Sequence, residues 1–322
     1  MFVGTFHSID VRTMKIVWTW STIPTAMSGP GQLSGNALWG SSPAVDIVSK
    51  IVYFGTGNNY FVPAALRSCY TTTAPVNWLT QCDNKIAPNN WAEAIIALNA
   101  TSGKLIWGHR VKAFDAFTDA CGVANNPNCP WTLAQSGQGD PDTDFNMEPV
   151  LSTVNGVKVL FIGQKSGVVY CLNAATGVII WQTYIVMSSL GAISVDEKNI
   201  YVVVPNTNVL KWTLKSGAVT TGGGWAALDK KSGAIVWTTA NPIVFPPNGA
   251  QSGPAASVGD IMLVGSFDGN VYSLSKSNGN ILSSYQTGAS VVDGFTADQT
   301  CAYVGNGHGS AKGKALMAFC KK

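Results

Sequence analysis

Short apolar runs recur along this chain, each closed off by Gly, Asn, Asp or Ser, and one arrangement of them repeats. Leu98-Asn99-Ala100-Thr101-Ser102-Gly103 leads into an apolar run ending at Trp107. Leu172 to Trp181 and Leu228 to Trp237 carry the same arrangement. So does Ile9 to Trp18, with Met14 in place of Gly, while Leu274 to Leu282 is a weaker copy without the Trp. The physical reading is local. An Asp or Asn side chain caps a turn, Gly takes the positive φ that closes it, and the Val/Ile/Leu run that follows is a strand. Trp at a fixed place in each unit has the apolar surface to pack between neighbouring sheets.

Hairpins precede most copies. Ile261–Gly265 and Asn270–Leu274 flank an Asp268-Gly269 turn, and Val159–Gly163 and Val168–Leu172 flank Ser166-Gly167. A further strand such as Gly253–Val258 leads each set. Four strands per unit, repeated, predicts an all-β chain built as a β-propeller of four-stranded blades, a single domain over 1–322. The count is about six: four complete units and two partial ones. The first starts at its second strand, and the last ends at Cys320 without a Trp strand. Long insertions fall at 58–90, 115–144 and 205–223, where a rigid scaffold would carry its sites.

Composition agrees with a packed β-fold. Hydrophobic residues make up 46% and charged residues 11%, so core material is ample, and 34 Gly supply the turns. A formal charge of +3 without a dense basic run gives no support for nucleic acid as a partner. No apolar stretch reaches the ~18 residues of a membrane span. Met1–Thr5 reads as strand rather than as a signal peptide. The seven cysteines nevertheless point to an oxidising, extracellular compartment. Cys69 and Cys82 bracket a polar loop, Cys121 and Cys129 bracket another, and Cys301 and Cys320 lie on the last two apolar strands. These are three disulfide candidates, with Cys171 left over; scattered free thiols are the alternative. Asn99-Ala100-Thr101 is a glycosylation sequon. There is no Cys-x-x-Cys-His, hence no c-type haem attachment, and the three His lack metal-ligand spacing.

The repeated turn-strand-Trp unit resembles the tryptophan docking motif of pyrroloquinoline quinone (PQQ)-dependent alcohol dehydrogenases, which are eight-bladed propellers with calcium beside the quinone. Trp39–Asp46 followed by Val52–Asn58 resembles the family segment carrying a stacking Trp and a calcium-binding Asn. Asp140–Phe145 with Gly163–Tyr170 is similar to the polyvinyl alcohol dehydrogenase branch. Gly222–Asp229 and the Cys301/Cys320 pair resemble its secreted plant relatives.

The resemblance implies PQQ and Ca2+ as cofactors, and a small or polymeric alcohol as substrate. It implies Trp39 as the floor under the quinone, Asn58 as a calcium ligand and Lys165 facing the quinone carbonyls. Read from the residues alone, Trp39 is equally a packing Trp, Asn58 a turn residue and Lys165 a solvated hairpin lysine. The family's catalytic base falls on Thr118, with Asp115 aligned to the first acid of the motif and Asp119 one residue later. Thr is no base near neutral pH, so Asp115 or Asp119 takes the hydroxyl proton, or the site is inactive. The family's adjacent-cysteine pair and acidic calcium ligand are missing, as expected of a propeller lacking its N-terminal blades. Two expectations follow: a quinoprotein alcohol dehydrogenase, or a non-catalytic secreted propeller that binds a protein or carbohydrate through its long loops.

Overall fold

The computed structural model describes residues 2–38, 42–74, 77–111, 142–186, 191–206, 209–243, 253–307, 313 and 315–320. Trp39, Asp115, Asp119, Cys121 and Cys129 lie outside the described residues. The chain divides into two compact units, residues 1–149 with 176–178, and residues 150–175 with 179–322.

The first unit opens with β1 (Thr5–Asp10) and β2 (Lys15–Ser21), an antiparallel pair around the Asp10 turn. The strand read at Met1–Thr5 is present only as a single bridge from Val3 to Gly35. The first partial sheet therefore shows the two strands flanking the docking turn, the third and outer strands of a repeat. After β3 (Ser34–Gly35) come β4 (Ala44–Asp46) and β5 (Ile51–Gly55). Next are β6 (Asn59–Phe61), which pairs with β3, and α1 (Ala64–Thr72). β7 (Ala94–Asn99) and β8 (Leu105–Arg110) then complete a four-stranded sheet, β4-β5-β7-β8.

The second unit holds the sheet of β9 (Val150–Val154), β10 (Val157–Gly163), β11 (Val168–Asn173) and β12 (Ile179–Tyr184). β13 (Ser194–Val195) and β14 (Asn199–Val204) follow, with the small pair β15 (Trp212–Thr213) and β16 (Val219–Thr220) inserted after them. β17 (Gly224–Asp229) and β18 (Ile235–Ala240) close that sheet in the order β13-β14-β17-β18. A further sheet comprises β19 (Ala256–Val258), β20 (Ile261–Gly265), β21 (Asn270–Ser275) and β22 (Ile281–Gln286). The last is three-stranded: β23 (Thr296–Ala297), β24 (Cys301–Gly305) and β25 (Leu316–Cys320). Every third strand of a complete sheet meets its outer strand with one register shift, two residues before the turn.

The middle strands are buried on both faces, because one sheet packs on the next. Tyr201, Val203, Trp225, Trp237, Met262, Val264, Tyr272 and Leu274 form one continuous core across two sheets. The Trp of one sheet seats on the turn of the next. The indole Nε1–H of Trp18 donates to the Ala100 carbonyl at 3.1 Å, that of Trp181 to Lys230 at 3.3 Å and that of Trp237 to Lys276 at 2.9 Å. Each acceptor is the residue after the turn-capping Asx or Ser. A second bond doubles the link in two cases, from Thr183 Oγ1 to the Gly233 carbonyl and from Thr239 Oγ1 to that of Gly279.

The turn glycines have φ between 68° and 74°. They also have no room for a side chain: a Cβ on Gly233 would lie 2.5 Å from the Trp181 ring, and one on Gly279 equally close to Trp237. Met14 occupies the same turn position at φ 55°, and its side chain is exposed. Left-handed backbone alone is thus tolerated with a side chain. The seated indole is what demands glycine.

Disulfides join Cys69 to Cys82 and Cys301 to Cys320. Cys171 is a buried free thiol, and burial pushes its pKa up to about 12. No helix among the described residues is long and apolar enough to cross a membrane.

Two alanine substitutions separate backbone strain from docking. Gly156, at φ 80°, has nothing within 4 Å of a built Cβ. Gly156→Ala therefore carries only the left-handed cost of about 1–2 kcal/mol. Gly233→Ala adds an overpacking cost of about 1–3 kcal/mol against Trp181. Urea denaturation should find Gly233→Ala the less stable of the two; equal stabilities would mean the indole moves aside freely.

Candidate functional site

In the first unit, the segment after β5 is buried. Gly57 donates its N–H to the Ala37 carbonyl, and the Asn58 carbonyl accepts from the Asn36 N–H at 2.7 Å. The Asn58 N–H donates to Asp144 Oδ1 at 2.7 Å. Both residues are buried, 3% and 2% exposed. Asn58 Nδ2 donates to the Asn59 carbonyl at 2.7 Å. Asp144 is anchored in turn by its neighbour Phe145, fully buried, whose N–H bonds the Thr56 carbonyl. Glu93, also fully buried, donates its backbone N–H to the Gly57 carbonyl.

Beside this pair, three buried asparagines close a ring of amide bonds. Asn36 Nδ2 donates to Asn90 Oδ1, Asn90 to Asn59 Oδ1, and Asn59 to Asn36 Oδ1, at 2.7–2.9 Å. Asn59 and Asn90 are the two ends of the insertion that follows Asn58. A ring satisfies donors and acceptors together, which buried amides require.

The insertion is helical where the sequence reads as a polar loop. α1 is followed by a π-helical turn, Trp78–Asp83. Its apolar side, with Leu66, Tyr70 and Cys82, packs on Ile23, Leu33 and Val62. That burial, together with the Cys69–Cys82 bridge, stabilises helix in a segment rich in Thr, Ser and Asn, residues that favour turns when nothing packs against them. Asp83, fully buried, accepts from the Tyr70 hydroxyl at 2.6 Å and pairs with Arg110 at the end of β8 at 3.0 Å. Burial raises the Tyr70 hydroxyl far above its ordinary pKa, with the Asp83 charge adding to it.

In the second unit, Lys165 sits in the β10–β11 hairpin turn. Gln164 braces the turn by accepting from Ser166 Oγ at 2.6 Å and from the Tyr170 hydroxyl. Lys165 is 9% exposed. It is therefore not the solvated hairpin lysine of the alternative reading. Lysine is rarely so buried without a partner.

Of the residues the sequence singles out, Asn58 and Lys165 are thus buried at strand ends. Trp39, Asp115 and Asp119 fall outside the described residues. Asn99 caps its docking turn, its Oδ1 accepting from the N–H groups of Thr101 and Ser102. Asp144 is not among the site residues that the sequence pattern marks, although it lies in the Asp140–Phe145 stretch. Its spacing from Asn58 is too long for any local motif to signal.

The Asn58–Asp144 pair offers oxygen donors, the kind a hard cation such as calcium takes. Among the described residues no group of three or more His, Cys, Asp or Glu stands ready for a metal. The donor set fits a hard cation in kind, and further oxygens are needed to fill its shell.

A family model described as outer membrane protein assembly factor BamB (PQQ_2) matches residues 92–304. The chain belongs to that family. It is 26% identical to a polyvinylalcohol dehydrogenase of Sphingopyxis sp. (strain 113P3), over 96% of this chain and 45% of that protein. It is also 26% identical to a polyvinylalcohol dehydrogenase of Pseudomonas sp., over 89% of this chain and 42% of the relative. The chain thus spans less than half the length of the curated relatives it matches. Among solved structures it resembles the quinohemoprotein alcohol dehydrogenase from Comamonas testosteroni, with TM-score 0.62, 15% identity, and 96% of this chain and 53% of that one covered. A europium-containing methanol dehydrogenase gives TM-score 0.60 at 15% identity, over 95% and 61%. These likenesses show an all-β fold of the PQQ-dehydrogenase propeller type.

Asp83→Ala removes one partner of a buried ion pair and leaves the Arg110 guanidinium uncompensated. It should lower stability by about 3–5 kcal/mol in chemical denaturation. A change below ~1 kcal/mol would show that water replaces Asp83 there.

Proposed function

We propose that the chain contributes to a quinoprotein that oxidises an alcohol, with PQQ and a hard cation as cofactors and an extracellular setting. The observation that carries this reading is the buried Asn58–Asp144 pair, which presents oxygens at a strand end where the family resemblance expects a calcium ligand. When bound, PQQ supplies the two-electron acceptor for alcohol oxidation. Asn58 Oδ1 and the Asp144 carboxyl would hold the cation. Lys165, already withdrawn from solvent, would place its positive charge against the quinone oxygens. Asp115 or Asp119 would take the hydroxyl proton of the alcohol. Polyvinyl alcohol, named for two relatives, makes a polymeric secondary alcohol the first substrate to try. The disulfides among the described residues suit an oxidising compartment. About six blades of an eight-bladed propeller is the corresponding architecture.

Thr118 at the usual base position favours the other reading, a non-catalytic propeller that binds a protein or carbohydrate partner.

The test is binding before turnover. Purified protein titrated with PQQ should quench the quinone's fluorescence only when calcium is present. Asn58→Ala and Lys165→Ala should each weaken that binding at least about tenfold, or ~1.4 kcal/mol. Absence of calcium-dependent binding would overturn the cofactor assignment. Binding without alcohol-dependent dye reduction would favour the non-catalytic reading.

A further inference from the structure

The repeat fails at one interface in the second unit, and a cavity lies where it fails. In three of the four-stranded sheets the second, third and outer strands align a large ring, a small residue and a Trp. The rows are Tyr53–Ala97–Trp107, Phe161–Cys171–Trp181 and Tyr201–Ala227–Trp237. The two rings in each row lie 5.7–6.1 Å apart, and together they fill the space towards the next docking turn. In the β19–β22 sheet the same row reads Leu263–Ser273–Ser283. Both rings are gone, and every residue of β22 is exposed.

A cavity of about 530 Å3 opens there, lined by this row and Val271 on one wall and by Ala302, Phe319 and the Cys301–Cys320 pair on the other. Its volume falls within the range of small-molecule sites, roughly 300–1,000 Å3.

The far wall is altered to match. Cys301 pairs with Cys320 at the register position where Ile261 meets Ser275 and Asn199 meets Asp229. A disulfide thus stands where the other sheets carry the capping residue of a docking turn. The bridge holds the wall covalently, without an indole pressed against it. Tyr285, two residues past Ser283, meets Phe319 edge-on at 5.6 Å and ties the two walls together.

Asp260, Asp298, Gln299 and Thr300 also line the slot, and where the rings are missing it carries a hydroxyl pair, Ser273 Oγ to Ser283 Oγ at 2.6 Å. One hydroxyl hydrogen is used between them. One donor and several lone pairs are left for whatever enters. Apolar side chains of Leu263, Val271, Ala302 and Phe319 beside this hydroxyl pair suit a flat ring carrying a polar hydrogen.

We propose that this slot binds a small planar aromatic molecule bearing an N–H or O–H, of about the size of indole or naphthol. The ligand takes the place of the missing Trp ring, and its polar hydrogen is accepted by the Ser273–Ser283 pair. The site is separate from the Asn58–Asp144 pair and does not depend on PQQ binding.

Indole is the probe. The whole chain, titrated by isothermal calorimetry, should bind indole saturably with Kd below about 1 mM. Ser283→Trp supplies the ring covalently. It should raise the thermal midpoint and weaken indole binding at least about tenfold. Ser283→Leu narrows the same space and serves if the Trp variant does not fold. It should weaken indole binding in the same direction while leaving the rest of the chain folded by circular dichroism. No saturable binding to the unmodified chain, or undiminished binding in the folded Ser283 variants, would overturn the proposal.

Discussion

The seating of an indole on the next turn is the contact on which the architecture rests. A four-stranded sheet buried on both faces is not stable alone, and its neighbours must be held in register. Trp18 reaches 82 residues forward to Ala100, Trp181 reaches 49 to Lys230 and Trp237 reaches 39 to Lys276. Each of these links spans most of a repeat of chain. The contact is specific because it combines three demands. The ring needs a flat apolar seat, the indole N–H needs a carbonyl, and the seat must lack a Cβ. Only a turn with glycine at positive φ, closed by an Asx or Ser cap, meets all three.

This contact also determines which end of each sheet is available for chemistry. In the β4–β8 sheet, Ile51 pairs with Asn99 at the docked end and Gly55 with Ile95 at the other, where the chain runs on to Asn58. In the β9–β12 sheet, Val159 pairs with Asn173, and Gly163 leads to Gln164 and Lys165 at the opposite end. Asn58 and Lys165 therefore occupy the same end of their respective sheets, remote from the indole seats. Residues at that end are under no docking constraint, and the long insertion between Asn59 and Asn90 departs from there.

How much of this was legible in the sequence follows from what each feature depends on. The turns and hairpins depend on local chemistry, so Asx, Gly and Trp at fixed spacing reveal them. Cys301 opposite Cys320 was readable because both lie on apolar strands that must pair. The helical insertion was not, because α1 is stabilised by burial against Ile23, Leu33 and Val62, of which the first two lie well upstream in sequence. The ring of Asn36, Asn59 and Asn90 is invisible for a similar reason: each asparagine alone reads as a turn residue. Asp144 reaches Asn58 across 86 residues. Lys165 could be named from resemblance alone, and its burial could not be foreseen from a Gln-Lys-Ser-Gly turn that suggests solvent.

The departures from the repeat form a consistent pair. Met14 replaces glycine at a turn where its side chain stays exposed, and Ser283 replaces Trp opposite a sheet whose capping residue has become a cysteine. A missing seat and a missing ring each leave their partner position without constraint. Random drift would relax both sides of the Ser283 interface. Yet the far wall is held by a disulfide, and the Tyr285–Phe319 pair bridges the gap. A wall that needed only to tolerate the loss of an indole would not require covalent support. A wall that must keep a slot open would.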